Sequence, residues 1–343
     1  MSKRQSVFVT GASGYLAKHI IVSLLNRGYD VTGSVRTLTR ATEVQQAIAP
    51  HLTTGTDLAS RLRFCVLDLT SDQWWQEALI GADSLIHTAS PVPVIQPKDA
   101  ETVIRPAVDG TRRALSAAQT AGIRRMVMTS SIAAIGSGVQ SEGRGAFSES
   151  DWTDLGQPGL SPYARSKTMA ETAAWDFAKV HPRTELTVIN PGVVIGAPLD
   201  LHYGASVALI ERILKARDPM LPKLGFPIVD VRDVAEMHVL ALEQPNTIGK
   251  RFIAADRFLW VHEIAEILKA AHPDLGLTTR CAPAFVIRLM ALRDPSLEYI
   301  LPILGKRQDM TSARARSDMG MRFRDVAESV TETGAFLVAN RAL

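Results

Sequence analysis

Only 2 cysteines, Cys65 and Cys281, occur in 343 residues, too few and too far apart for a disulfide framework. Cys65, inside "RFCVLD", reads as a small apolar residue of a buried strand, and a reduced, cytoplasmic compartment is expected. No uncharged apolar run reaches the roughly 18 residues that a membrane-crossing helix needs. The opening segment "MSKRQSVFVTG" passes straight from charges into a strand pattern, so neither a signal peptide nor a membrane span is expected. Charge of one sign is scarce as well. The formal net charge is +3, and the basic pairs Arg112–Arg113 and Arg124–Arg125 lie beside predicted helix ends rather than along a stripe. Nucleic acid is therefore not an expected partner. There is no Pro/Gly/Ser-rich linker, internal repeat or low-complexity tract, which leaves a continuous chain, 46% hydrophobic and 21% charged, able to bury a large core.

Short apolar runs at residues 7–9, 31–35, 64–67, 84–87, 126–129 and 187–189 alternate with helix-length amphipathic stretches at 15–27, 99–121 and 163–180. Uninterrupted apolar runs bounded by turn residues are the pattern of parallel strands covered on both faces. Six β-α repeats predict an α/β fold, a doubly wound parallel Rossmann sheet. Beyond about residue 190 the chain becomes richer in proline, with helices near 231–243, 261–271 and 325–338. The expected organisation is a dinucleotide-binding domain over 1–190, to which 228–255 returns. A smaller, mainly helical C-terminal substrate domain is expected from 191–227 and 256–343.

The stretch "VTGASGYLAKHI" places Gly11, Ser13, Gly14, Tyr15 and Leu16 between the first strand and the first helix. Gly11 permits a tight turn and Gly14 lets a pyrophosphate approach the helix N-terminus, although small residues also occur where a helix merely packs on a sheet. The second strand ends in Arg36, with Arg40 one helical turn on, where a fold specific for NAD would carry an acid. Two cations there match a 2′-phosphate, which points to NADP(H); the competing reading is a pair of solvated arginines. Asp68 in "VLDLT" can accept from an adenine amino group beside the Leu69 amide, or simply cap the next helix. In "HTASPV", Thr88, Ala89 and Ser90 are small enough to let a cofactor approach, whereas His87 reads as a packed structural histidine.

The reacting groups lie in two later segments. "VMTSSIAA" carries Thr129, Ser130 and Ser131 at the end of the fifth strand, and "SPYARSKTMAE" carries Tyr163 and Lys167. Residues four apart share a helix face. A phenol titrates near 10, but an adjacent ammonium favours its anion and makes it a usable acid at neutral pH. A Ser131 hydroxyl can hold a carbonyl oxygen while Tyr163 donates the proton. No metal is called for. In "DVRDVA", Asp230 is expected to cap a helix while Arg232 and Asp233 pair locally. The tail "SARARSDMGMRFRDVAESV" is expected to form a surface helix closing the substrate domain.

In order and spacing, "VTGASGYLAKHI", "GSVR", "LDL", "HTASP", "PAVDGTRRAL", "MTSSIAA", "FSESDWTD", "SPYARSK", "NPGVVIGAP" and "VDVRDVAEMHVLAL" resemble the extended short-chain dehydrogenase/reductase superfamily. The likeness spans nearly the whole chain and is strongest to the dihydroflavonol reductases, cinnamoyl-CoA reductases and NADPH-dependent aldehyde and ketone reductases. The resemblance implies a catalytic triad of Ser131, Tyr163 and Lys167. It also implies a nicotinamide flanked by Pro191, Gly192, Val193 and Val194, and an adenosine phosphate meeting Arg36 and Arg40. It departs at Asp109, where the family often has asparagine, so the proton relay behind Lys167 is unassigned. "IAAIG" likewise replaces the more common small-residue continuation after the serines.

Residues 91–97, 132–139, 193–203 and 219–227 are mostly apolar, and Val94, Tyr203 and Phe226 are the substrate-contact candidates there. The expected reaction is NADPH-dependent reduction of a hydrophobic aldehyde or ketone, with the reverse alcohol oxidation. Two alternatives stand beside it: a sugar-nucleotide epimerase or dehydratase, and a non-catalytic NADP-sensing regulator. A monomer and a homodimer, the latter through helices 99–121 and 163–180, are equally compatible with the sequence.

Overall fold

The computed structural model describes residues 4–92, 97, 99–137, 145–292 and 300–340. Among these, the strands are β1 (Ser6–Thr10), β2 (Asp30–Val35), β3 (Leu62–Val66), β4 (Ser84–His87), β5 (Arg125–Thr129), β6 (Glu185–Pro191), β7 (Val193–Ile195), β8 (Gly225–Asp230), β9 (Arg251–Ala254) and β10 (Arg257–Trp260). The helices are α1 (Tyr15–Asn26), α2 (Leu38–Ile48), α3 (Leu58–Arg61), α4 (Trp75–Ala78), α5 (Glu101–Thr120), α6 (Pro162–Val180), α7 (Ala205–Leu214), α8 (Val231–Glu243), α9 (Val261–Ala271), α10 (Ala284–Ala291), α11 (Ala313–Asp318) and α12 (Val326–Ala339).

Seven strands form one sheet in the order β3-β2-β1-β4-β5-β6-β9, every neighbouring pair parallel. All six expected strands are in it, and the order reverses between β1 and β4, the switch point at which doubly wound folds bind ligands. Alternation along each strand divides the side chains between two cores. Val7, Val9, Ile86, Val127 and Ile189 pack with α1, α2 and α8 on one face. Phe8, Leu85, Met126, Met128 and Val188 pack with α5 and α6 on the other. Burying one such side chain completely, as for Phe8 at 0% exposure, contributes about 2 kcal/mol.

A second, three-stranded sheet, β10-β8-β7, was not anticipated; its strands are too short and scattered to announce themselves by periodicity. It packs with α7, α9 and α12 around a separate core of Ile195, Ile210, Ile228, Leu259, Ile264 and Val330. The chain enters it directly from the main sheet. β6 ends at Pro191, Gly192 turns, and β7 pairs with β8. Gly192 has no room for a side chain, since a Cβ there would lie 2.4 Å from the Pro227 carbonyl oxygen.

Residues 228–255 divide between the two sheets. β8, through Asp230, belongs to the small sheet, whereas α8 packs in the first core and β9 closes the main sheet. The tail also differs from expectation: it forms two helices, not one. Ala315, Met319 and Met321 bury themselves against the first core, and only α12 joins the core of the small sheet. Among the described residues, no helix is long and apolar enough to cross a membrane.

Candidate active site

The turn after β1 is a backbone device. Gly11 has φ +67°, and a Cβ there would sit 3.0 Å from the Ala89 Cα, so both conformation and space demand glycine. The Gly14 amide closes the turn on the Gly11 carbonyl at 2.9 Å. Gly14 is also the N-cap of α1 and supplies no side-chain cap. The first-turn amides, at Tyr15 and Leu16, therefore have neither an intrahelical nor a capping acceptor, which makes the helix N-terminus a ready anion site. The half-buried Ser13 lies in the same turn. Tyr15 does more than line it: its hydroxyl donates to the Gly196 carbonyl at 2.7 Å, tying α1 to the chain just after β7.

Thr10 organises the neighbouring strand end. Its hydroxyl oxygen accepts from the Thr88 and Ala89 amides, both at 3.0 Å, and donates to His87 Nδ1 at 2.9 Å. The Thr88 hydroxyl donates back to the Thr10 carbonyl. His87 is the packed histidine expected, 2% exposed, and burial with the nearby Lys167 charge lowers its pKa to about 3. The small segment Thr88, Ala89 and Ser90 thus lies half-buried beside the glycine turn.

At the end of β2, Arg36 is exposed, while Arg40 forms an ion pair with Glu43 at 2.5 Å. Asp68 is exposed and accepts from both the amide and the hydroxyl of Thr70 at 2.7 Å, so one carboxylate oxygen serves a local turn. Asp68 does not cap the next helix, α4, whose N-cap is Trp74; Leu69, half-buried beside Asp68, has a carbonyl taken by Arg113. Thr129 is committed too. Its hydroxyl lies 2.7 Å from His238 Nε2, and His238 Nδ1 lies 2.7 Å from the Val234 carbonyl. Nδ1 must therefore carry the hydrogen and Nε2 accept from Thr129, so the Thr129 hydroxyl can meet a ligand only as an acceptor.

Tyr163 and Lys167 lie in the first turns of α6, which starts with the Ser161 side chain accepting from the Ala164 amide and Pro162 at the first helical position. The structure brings all three reacting candidates together. The Ser131 hydroxyl faces the Tyr163 phenol and favours its anion, and Lys167 Nζ is 5.8 Å from the Tyr163 ring centroid. Ser131 is held at the end of β5 by capping a short 3-10 turn through the Ala133 amide. Burial raises the pKa of Tyr163, opposed by the Ser131 hydroxyl. Burial likewise pulls Lys167 down to about 8, opposed by the charge of Glu171.

Behind these groups is a buried cluster not singled out in the sequence. Glu171, 0% exposed, accepts from Ser130 at 2.5 Å, Asn190 at 2.7 Å and Trp175 at 3.2 Å, and pairs with Arg251 at 2.5 Å. Asn190 also donates to the Ser131 carbonyl at 3.1 Å. The 163-167-171 spacing was the available signal for Glu171; nothing in the sequence links it to Arg251, 80 residues away.

Other placements refine the expectations. Tyr203 and Phe226 pack against the core of the small sheet, with the Tyr203 hydroxyl donating to Glu211 at 3.1 Å. Val94 lies outside the described residues. Pro191, Gly192, Val193 and Val194 form the crossing between the two sheets. Asp230 caps α8 as expected, but Arg232 pairs with Asp230 and Glu332, while Asp233 pairs with Arg324. Asp233 is 1% exposed and accepts from the Arg324 amide, just before α12.

The chain matches the NAD dependent epimerase/dehydratase family over residues 7–255. It is 36% identical to cinnamoyl-CoA reductase 1 of Arabidopsis thaliana over 279 residues, which cover 81% of this chain and 78% of that protein. It is 32% identical to ketoreductase azaE of Aspergillus niger, with 95% of each chain covered. Among solved structures, yeast methylglyoxal/isovaleraldehyde reductase Gre2 complexed with NADPH is similar with a TM-score of 0.80 at 26% identity, covering 99% of this chain and 100% of that one.

Proposed function

Because this chain belongs to the NAD dependent epimerase/dehydratase family and is an NADP-dependent oxidoreductase of its extended short-chain type, we propose that it reduces the carbonyl of a hydrophobic aldehyde or ketone, with Tyr163 as the proton donor. The observation that carries this reading is the gathering of the Ser131 hydroxyl and the Lys167 ammonium around the Tyr163 side chain.

The chain's own groups fit NADP(H). The uncapped α1 N-terminus beside Gly11, Ser13 and Gly14 suits a pyrophosphate, and Arg36 is exposed at the place where a 2′-phosphate would need a cation. Arg40 can join it by exchanging Glu43 for the phosphate. Thr88, Ala89 and Ser90 would flank the cofactor, and Pro191 to Val194 would flank the nicotinamide. When bound, the nicotinamide supplies the hydride.

The residues divide the remaining work. Ser131 orients the substrate carbonyl and stabilises charge developing on its oxygen. Tyr163 gives its phenolic proton to that oxygen. Lys167 stabilises the tyrosinate left behind, which is why a group with so high an intrinsic pKa can act near neutrality. The segment 191–227 with 256–343, apart from the stretch around Ala315 to Met321, would bear the substrate; Tyr203 and Phe226 belong to its apolar lining. The similar proteins named above are reductases of carbonyl compounds, in agreement with this assignment.

The test is spectrophotometric: purified protein with NADPH or NADH and a panel of aryl ketones, hydrophobic aldehydes, β-keto esters and dihydroflavonols. Substrate-dependent NADPH oxidation is the expected result. Tight NADPH binding with no turnover across the panel would turn the assignment toward a sugar-nucleotide enzyme or a cofactor sensor.

A further inference from the structure

We propose that Glu171 is a positioning residue of the active site: its buried carboxylate locks the helix bearing Tyr163 and Lys167 to the two strand ends facing it, and supplies the negative charge that holds Lys167 as an ammonium. The proposal rests on the roles given above to Tyr163 and Lys167.

The geometry is that of a hub. Glu171 follows Lys167 by four residues and Tyr163 by eight, so all three fall on one stripe of α6. Its Oε2 accepts from Ser130, at the end of β5, and from Asn190, near the end of β6. The same Asn190 amide donates to the Ser131 carbonyl. One carboxylate therefore sets the registry between the helix that carries the proton donor and the strand end that carries the carbonyl-orienting hydroxyl. Its Oε1 is taken by Trp175 and by Arg251 of β9. Arg251 is itself fixed against the Trp152 ring at 3.8 Å and by the carbonyls of Glu149 and Asp151. A buried carboxylate with this many donors cannot rotate without orphaning several of them.

The electrostatic half follows from what faces Lys167. Tyr163 and Glu171 flank it on its own helix. His87 approaches from the end of β4, neutral because its pKa lies near 3. On α5, Asp109 is half-exposed and engaged with Arg112 at 3.7 Å. Glu171 is thus the negative group acting on the lysine. Burial alone would push Lys167 toward the neutral amine, and Glu171 opposes that shift. The asparagine often found at the Asp109 position in the family is not needed for this part of the work.

The experiment is the pH dependence of kcat for carbonyl reduction at saturating NADPH, in the wild type, Glu171→Gln, Glu171→Asp and the double variant Glu171→Gln/Arg251→Gln. Replacing both buried partners by neutral groups of similar volume leaves no orphaned charge, so the double variant keeps the test open should Glu171→Gln fail to fold. The expected result is a basic limb displaced downward by about one pH unit or more. The acid plateau falls because the hub loses acceptors, and activity falls about tenfold further at the basic end, with Glu171→Asp returning the limb toward wild type. A limb that stays in place, or a loss by the same factor at every pH, would overturn the proposal. Tyr163→Phe, assayed in parallel, separates the two readings. Turnover by that variant removes the roles on which the proposal rests, whereas an inactive Tyr163→Phe with an unmoved limb in the Glu171 variants rejects the positioning role alone.

Discussion

Lys167 Nζ stands 5.8 Å from the centre of the Tyr163 ring, one turn along α6, while Ser131 faces the Tyr163 phenol across the helix–strand gap. In Tyr163→Phe the ring and its packing persist and only the proton donor is lost. Turnover should fall by about two to four orders of magnitude with NADPH affinity nearly unchanged, as measured by steady-state kinetics and by quenching of protein fluorescence on cofactor binding.

Arg36 is exposed at the end of β2, and unlike Arg40 it has no ion pair within the described residues. Arg36→Ala should weaken NADPH by about tenfold or more and leave NADH nearly untouched, since only the former carries a 2′-phosphate. Isothermal titration with both cofactors checks this. Equal losses would remove Arg36 from phosphate recognition.

Gly192 joins the two sheets with its Cα pressed against β8; a Cβ would be 2.4 Å from the Pro227 oxygen. Backbone oxygen cannot move aside as a flexible side chain would. Gly192→Ala should destabilise the fold by about 1–3 kcal/mol, read as a lower urea midpoint, and should also reduce kcat because Pro191 to Val194 shift with it.

Three buried neutral histidines make stability pH-dependent. Burial depresses His87 to about 3 and His19 and His238 to about 4, against 6.5 when free. The unfolded chain therefore takes up protons first: stability is full above about pH 6.5 and falls as the pH drops toward 4. At pH 5 each histidine accounts for about 2 kcal/mol of that loss. Urea unfolding at pH 7 and pH 5 measures the sum. His238→Gln, less stable at pH 7 because the Thr129 and Val234 bonds change, should lose about 2 kcal/mol less than wild type between the two pH values.

The parallel sheet, the glycine turn and the Ser131, Tyr163 and Lys167 set could be read before folding because each is local: an apolar run, a pair of glycines, two residues one helical turn apart. What escaped depends on contacts distant in sequence. Glu171 meets Arg251 across 80 residues, and Asp233 meets Arg324 across 91. No periodicity announces either pairing. Thr129 likewise gives no sign of His238, which α8 brings to its hydroxyl. The three-stranded sheet was hidden for a related reason: β7 is only Val193–Ile195 and finds its partner beyond α7. The tail could be read as amphipathic but not divided, since Ala315 and Met319 serve one core and Val326 and Val330 the other.

The most direct test of carbonyl reduction is to follow the hydride itself, using NADPH deuterated at the transferable position of the nicotinamide and an aryl ketone under single-turnover conditions. Mass spectrometry of the product should find one deuterium on the new carbinol carbon, formed in step with cofactor oxidation, and none when Tyr163→Phe is used. Unlabelled ketone recovered alongside unoxidised cofactor, with a UDP-sugar instead epimerised without net cofactor consumption, would contradict the assignment.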